Sequence, residues 1–290
     1  MRYKIKHFTK YKYIRSLLLT PHLIRLRPRS NSWQNLQSFQ IDIEPKPIGF
    51  SEYIDLDGND FIKVWFDRAT DFLTIETDIE IETHNFNPFN YLLEPWMVKL
   101  PIDYPSSLLR QLQPYLNLES NFFDPIVLEL ARSLREESDN NTVSFLFNLN
   151  QIIYRNCQYI IREEGQPWLA GTTWRKRQGS CRDFAVLFME VCRLVGLAAR
   201  FVSGYEAGDA DDPEKHLHAW VEVYLAGAGW RGYDPSHGLV TTDSYIALVA
   251  SAIPQHTAPV SGDITSLPST SENIPPLQSQ IEYRLTIDLC

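Results

Sequence analysis

From Arg2 to Tyr13 the chain repeats with a period of two. Tyr3, Ile5, His7, Thr9, Tyr11 and Tyr13 share one parity, and Arg2, Lys4, Lys6, Lys10 and Lys12 share the other. An extended strand puts alternate residues on opposite faces, so this segment has one covered face and one wet face. The pattern returns at Phe39, Ile41 and Ile43, which end at Pro45, and in the run from Leu73 to Glu82. Leu23 to Leu26 stops at Pro28, and Asp57-Gly58-Asn59 is a turn signal before Phe61 to Phe66. Five or more short strands with turns between them predict a β-sandwich domain over residues 1–85.

The period then changes. Residues 86–122 read as a linking segment; from Asn85 to Pro105 it is rich in proline, asparagine and aromatics. Phe123 to Arg135 and Val143 to Tyr159 carry apolar residues at helical spacing. Asp124-Pro125 and Asn141-Thr142 are suitable helix starts. A third helix begins near Cys181, where Phe184, Leu187, Phe188, Val191, Leu194 and Val195 make one buried stripe and Gly196 can end it. Ala199 to Tyr205, His218 to Leu225 and Trp230 to Tyr233 read as strands, the last two joined by Ala226-Gly227-Ala228-Gly229. The fold class is therefore α+β, with a core over residues 123–250. Residues 251–280, rich in proline, serine and threonine, read as a loop, and 281–290 as a returning strand.

Basic residues crowd the first 29 positions, from Arg2 to Arg29, with no acid before Asp42. Their alternation favours the solvated side of edge strands, where lysine discourages edge pairing, over a surface for an acidic partner or a membrane. The whole chain carries a net charge of −9, which argues against nucleic acid as a partner. The apolar stretch after the basic start is too short for a secretory signal, and no run approaches a membrane span. These features predict a soluble, cytoplasmic protein. The four cysteines, Cys157, Cys181, Cys192 and Cys290, show neither a disulfide framework nor the spacing of a structural zinc site.

The chemistry concentrates at Cys181. It follows a glycine-containing turn and opens an amphipathic helix, where unpaired amides and the helix dipole favour an anion. A thiolate is easier to form there, and the same amides can donate to an oxyanion. Such a nucleophile needs a base and an orienting group. His218 starts one strand and Asp234 ends the next. If Leu225 pairs with Gly229, His218 falls opposite Ser236 and Asp234 becomes its same-face diagonal neighbour; a one-residue slip would separate them.

Four segments in order carry a family resemblance: Gly179-Ser-Cys-Arg-Asp-Phe-Ala185, Gly196 to Tyr205, His218-Ala-Trp-Val-Glu-Val223, and Gly229-Trp-Arg-Gly-Tyr-Asp-Pro235. Together they resemble the core of transglutaminase-like proteins, and residues 1–85 resemble the N-terminal β-domain of the bacterial branch. The resemblance implies a papain-like core with Cys181 as nucleophile, His218 as base and Asp234 as its orienting partner. It implies a cysteine protease or amide hydrolase acting on a peptide or protein substrate. No cofactor is implied, and the calcium dependence of animal cross-linking members is not carried over. Three departures stand out: Ser180 replaces a common valine, Arg182 a common glutamine, and Ser236-His237 the usual Thr-Asn after Asp-Pro.

Other readings remain open at this point. The same triad could transfer acyl groups to an amine, the fold could serve as a non-catalytic peptide-binding module, or Cys181, His218 and Asp234 could ligate zinc. Asp183 is expected to serve the helix terminus rather than the chemistry. His216 and His237 are expected to be exposed or beside the site.

Overall fold

The computed structural model describes residues 1–84, 87–118, 124–162, 165–208, 215–266 and 279–290. The alternating N-terminal segment forms one long strand, Arg2–Leu19. It pairs with Thr70–Thr83 on one side, which in turn pairs with Gln34–Glu44. Its other side takes the returning C-terminal strand Ser279–Leu289 and the short strand Ile264–Ser266. A second sheet has the order Val260–Ser261, His22–Ile24, Asp60–Trp65, Gly49–Ile54. Ile5, Ile24, Leu26, Ile62, Val64, Leu73, Ile75 and Ile79 belong to one buried cluster shared by the two sheets.

The basic strand is thus not at an edge. Its lysines face acids on the neighbouring strands: Lys4 lies opposite Glu80, Lys6 opposite Asp78, and Lys10 opposite Glu282. Arg2–Glu80, Lys6–Asp78 and Lys12–Glu282 form exposed ion pairs at 3.4, 3.6 and 3.3 Å. The alternating charge is a cross-strand ladder within the sheet, so edge protection is not its role.

The second half holds a five-stranded antiparallel sheet. Its order is Leu239–Val240, Gly229–Asp234, Leu217–Leu225, Ala199–Glu206, Tyr245–Ser251. The helix Cys181–Leu194 packs on this sheet through Phe184, Leu187, Phe188 and Val191, in one core with Val221, Val223 and Tyr233. Around it lie Pro125–Glu137, Thr142–Asn156 and the shorter Ala170–Lys176. Asp124 caps the first of these by accepting from the Ile126 amide, and Asn141 caps the second by accepting from the Ser144 amide. The first residue expected in that first helix, Phe123, lies outside the described residues. The helix expected through Tyr159 ends instead at Asn156; Cys157 turns extended, and Gln158–Tyr159 forms a parallel pair with Gln178–Gly179. The segment before the core also contains a helix, Ser106–Leu116.

The two halves share a core. Tyr205, Ile246, Leu248 and Val249 of the central sheet join the N-terminal apolar cluster. His7 bonds the Tyr205 hydroxyl at 2.8 Å, and Gln34 and Asn59 bond the backbone of Ala247 and Ala250. The N-terminal sheets therefore brace the strand Tyr245–Ser251. Of the proline-rich stretch 251–280, the described part holds the end of Tyr245–Ser251, a 3₁₀ turn, the two short strands named above and the start of Ser279–Leu289, and residues 267–278 lie outside the described residues. Among the described residues, no helix is long and apolar enough to cross a membrane.

Candidate active site

Cys181 is the first residue of its helix and is nearly buried, at 7% exposure. Gly179 makes the tight approach to that helix feasible: a Cβ there would stand 2.8 Å from the Asp183 Cβ and 3.1 Å from the Phe184 ring. Asp183 closes the helix mouth. Its carboxylate accepts from the Ser180 amide and hydroxyl at 2.8 and 2.9 Å and from the Trp168 amide at 2.7 Å, and it pairs with Arg162. Burial would raise the Asp183 pKa, but the Arg162 guanidinium and these donors outweigh burial and lower it. This is the structural role expected of Asp183. Removing the carboxylate strands Arg162 and three donors, so Asp183→Ala should lose about 3–5 kcal/mol of stability in urea unfolding. A loss under about 1 kcal/mol would show that the mouth holds without it.

The hairpin register decides whether base and acid can meet. Leu225 pairs with Gly229 and Val221 with Tyr233, which is the register that makes His218 and Asp234 diagonal neighbours. His218 Nε2 lies 2.7 Å from Asp234 Oδ2. The Cys181 side chain lies beside the same imidazole and acts on its charge, and with Nε2 taken by Asp234 the nitrogen left to face sulfur is Nδ1. The three side chains singled out in the sequence therefore converge. Burial alone would lower the His218 pKa; the Asp234 charge, its hydrogen bond and the Cys181 contact override burial and hold it well above the ordinary value. Burial would raise the Asp234 pKa, yet His218 and His237 together depress it far below the usual carboxylate range.

Two family descriptions match in tandem: the bacterial transglutaminase-like N-terminal region over residues 3–82, and the transglutaminase-like superfamily core over residues 129–235. The chain belongs to the transglutaminase-like superfamily. Among curated relatives of this transglutaminase-like protein is an uncharacterized Mycobacterium tuberculosis protein, 28% identical over 268 residues, covering 85% of this chain and 82% of the relative. A protein-glutamine gamma-glutamyltransferase of Pseudomonas aeruginosa is 34% identical over 68 residues, which cover 21% of this chain and 10% of that one. Among solved structures, a protein described provisionally as a cysteine protease from Cytophaga hutchinsonii superposes with a TM-score of 0.72 at 19% identity, covering 99% of this chain and 90% of that one. At that identity the likeness establishes the fold.

The departures from the superfamily motif now have positions. Arg182 donates to the backbone carbonyls of Gly165 and Arg162 at 2.9 and 2.6 Å, tying the preceding loop to the helix. His237 is half-exposed, and its Nδ1 lies 2.8 Å from Asp234 Oδ2. Three neighbours of the site escaped the sequence reading. The Tyr245 hydroxyl donates to Asp234 Oδ2 at 2.9 Å. Glu206 ends its strand with a carboxylate oxygen 3.8 Å from His218 Nε2. Tyr159, brought beside Gly179 by the short parallel pair, lies next to the Cys181 side chain. Tyr245 and Glu206 reach the site across the sheet, and Tyr159 through a two-residue strand, so no local spacing announces them.

Proposed function

We propose that this transglutaminase-like protein is a thiol-dependent amide or peptide hydrolase working through an acyl-enzyme. One observation carries the proposal: a helix-mouth cysteine, an imidazole beside it, and a buried carboxylate 2.7 Å from the far ring nitrogen. Cys181 Sγ attacks the substrate carbonyl carbon, and the electron pair moves to oxygen. The amide C–N bond then breaks, and the His218 imidazolium gives its proton to the leaving amine. A thioester remains. Water gives a proton to His218 and attacks the thioester, releasing the acid and restoring the thiolate and imidazolium pair. Asp234 fixes the ring throughout. The compartment that suits the four free thiols is a reducing one, consistent with a cytosolic location.

The oxyanion needs donors that face the reacting carbonyl. The Cys181 amide, at the first turn, has no intrahelical acceptor. The Tyr159 hydroxyl is the side-chain donor we assign, because it already sits against the sulfur. Tyr159→Phe should lower kcat about 10²-fold, the loss typical of one oxyanion donor. Alkylation of Cys181 forms no oxyanion, so its rate with iodoacetamide should change far less than kcat. An equal fall in both rates would mean that Tyr159 acts on the thiol instead.

Profiling on a peptide library, with Cys181→Ala as control, tests the reaction class. Release of free acid in water supports hydrolysis; product that appears only with an added amine would transfer the assignment to acyl transfer. Absence of turnover by wild type, with no selective labelling of Cys181, would leave a peptide-binding module.

A further inference from the structure

Asp234 Oδ2 is crowded on the side away from Cys181. Among the described residues, Glu206, His218, Asp234 and His237 each present one ligand-type atom, and the four atoms lie within 4.8 Å of one another. Asp234 Oδ2 stands 2.7 Å from His218 Nε2 and 2.8 Å from His237 Nδ1. Glu206 Oε2 stands 3.4 Å from His237 Nδ1 and 3.8 Å from His218 Nε2. Four ligands around zinc, with bonds of about 2.0–2.1 Å, lie about 3.3 Å apart along the tetrahedron's edges. The observed separations run from 2.7 Å to as much as 4.8 Å and so straddle that value; side-chain rotations that draw the widest pair in by up to about 1.5 Å would centre an ion.

The donor set suits the same ion. Two imidazole nitrogens and two carboxylate oxygens are borderline ligands of the kind zinc accepts, and the two carboxylates balance its charge. Entry is open as well: the His237 and Glu206 side chains are 45% and 20% exposed, while His218 and Asp234 form the buried floor. His237 supplies the second imidazole at the position where the motif usually carries asparagine.

We propose that Glu206, His218, Asp234 and His237 form a binding site for a divalent transition metal of the zinc class, and that its occupation switches the enzyme off. His218 binds through the lone pair of Nε2 and His237 through that of Nδ1, each as a neutral imidazole whose one N–H proton sits on its other nitrogen; a proton in excess of that leaves to solvent. Two carboxylates against the double charge of the ion leave the occupied site neutral. His218 is then a metal ligand. It can neither share a proton with Asp234 nor alternate as acid and base toward Cys181. The inhibition rests on the hydrolase reading above; the binding does not.

The test therefore starts from the full-length Cys181→Ala protein, titrated with zinc chloride by calorimetry. One equivalent should bind. Loss of an outer partner of a metal ligand alone costs about 10–100-fold in affinity. His237→Ala and Glu206→Gln remove direct ligands and should each weaken binding by at least that much; the second variant covers the case in which the first fails to fold. Cobalt in wild type should give visible bands of a tetrahedral nitrogen and oxygen site with no thiolate charge-transfer band. A charge-transfer band that vanishes in Cys181→Ala would move the metal to the sulfur and overturn the proposal. So would the absence of zinc binding to Cys181→Ala, or equal binding by all variants. If Cys181→Ala binds zinc and wild type hydrolyses nothing, the site stands and the hydrolase reading falls.

Discussion

Iodoacetamide at near-neutral pH should alkylate Cys181 well ahead of the other three cysteines, and His218→Ala should remove that lead. The internal controls are built into the chain. Cys192 is fully buried, and burial pushes its thiol well above the ordinary range. Cys157 is buried too, with its pKa pushed up to about 11. Cys290 is exposed and reports the rate of an accessible thiol outside the site. Cys181 is less accessible than Cys290, so accessibility alone predicts the opposite order. Only thiolate character can reverse it, because the thiolate is the nucleophile. The raised pKa of His218 keeps its imidazolium populated through neutrality, so the lead of Cys181 over Cys290 should persist at pH 6, at about tenfold or more. Without the imidazole, the remaining help is the helix terminus, worth about 1 kcal/mol. Turnover should fall further than labelling, by about 10⁴-fold or more in either Cys181→Ala or His218→Ala, since each removes a whole step of the chemistry. Uniform labelling of the accessible thiols would end the case for a catalytic cysteine.

How much of this site could be seen in the sequence depends on distance along the chain. Cys181 was visible because a helix terminus is a local object, written in Gly179, Ser180 and the apolar stripe that follows. His218 and Asp234 were visible because a hairpin converts spacing into contact: a short loop between Leu225 and Gly229 fixes every pair behind it. Tyr245 was not visible. It lies in a continuous buried run, Tyr245–Ser251, whose sheet partner is Ala199–Glu206, about forty residues earlier. Continuous apolar runs carry no period, so neither this strand nor its pairing with Ala199–Glu206 could be read. The helices Ser106–Leu116 and Ala170–Lys176 were hidden for other reasons: the first contains Pro114, the second spans seven residues, and neither has a side-chain cap. The N-terminal strand was legible as a strand but misplaced as an edge. Its partner Ser279–Leu289 comes from the far end of the chain, and only the fold reveals that acids there await the lysines.

Asp234→Asn should lower kcat by about 10⁴-fold while leaving the protein folded. The substitution keeps size and shape but changes what the oxygen can accept. Asp234 Oδ2 faces three donors, from His218 Nε2, His237 Nδ1 and Tyr245, and Oδ1 accepts from the Ser236 amide. An asparagine has one oxygen for these two positions. If its oxygen serves Ser236, its NH₂ meets the three donors, and His218 must turn Nε2 into an acceptor. The proton then sits on Nδ1, facing sulfur, where the ring can no longer take a proton from the thiol. If the amide flips, the NH₂ meets the Ser236 amide, and the turn after Asp234 loses its anchor. Stability carries a separate signature. The depressed pKa of Asp234 means that its contribution is present above the unfolded carboxylate's pKa of about 4 and is lost as pH falls through the folded value. The raised pKa of His218 works in the other direction: its contribution is full below about pH 6.5 and is lost as pH rises through the folded value. Asp234→Asn should weaken both limbs at once, seen as a flatter dependence of urea stability on pH. A variant that keeps kcat within about tenfold of wild type would mean that His218 is oriented without Asp234, and the carboxylate would belong to the fold alone.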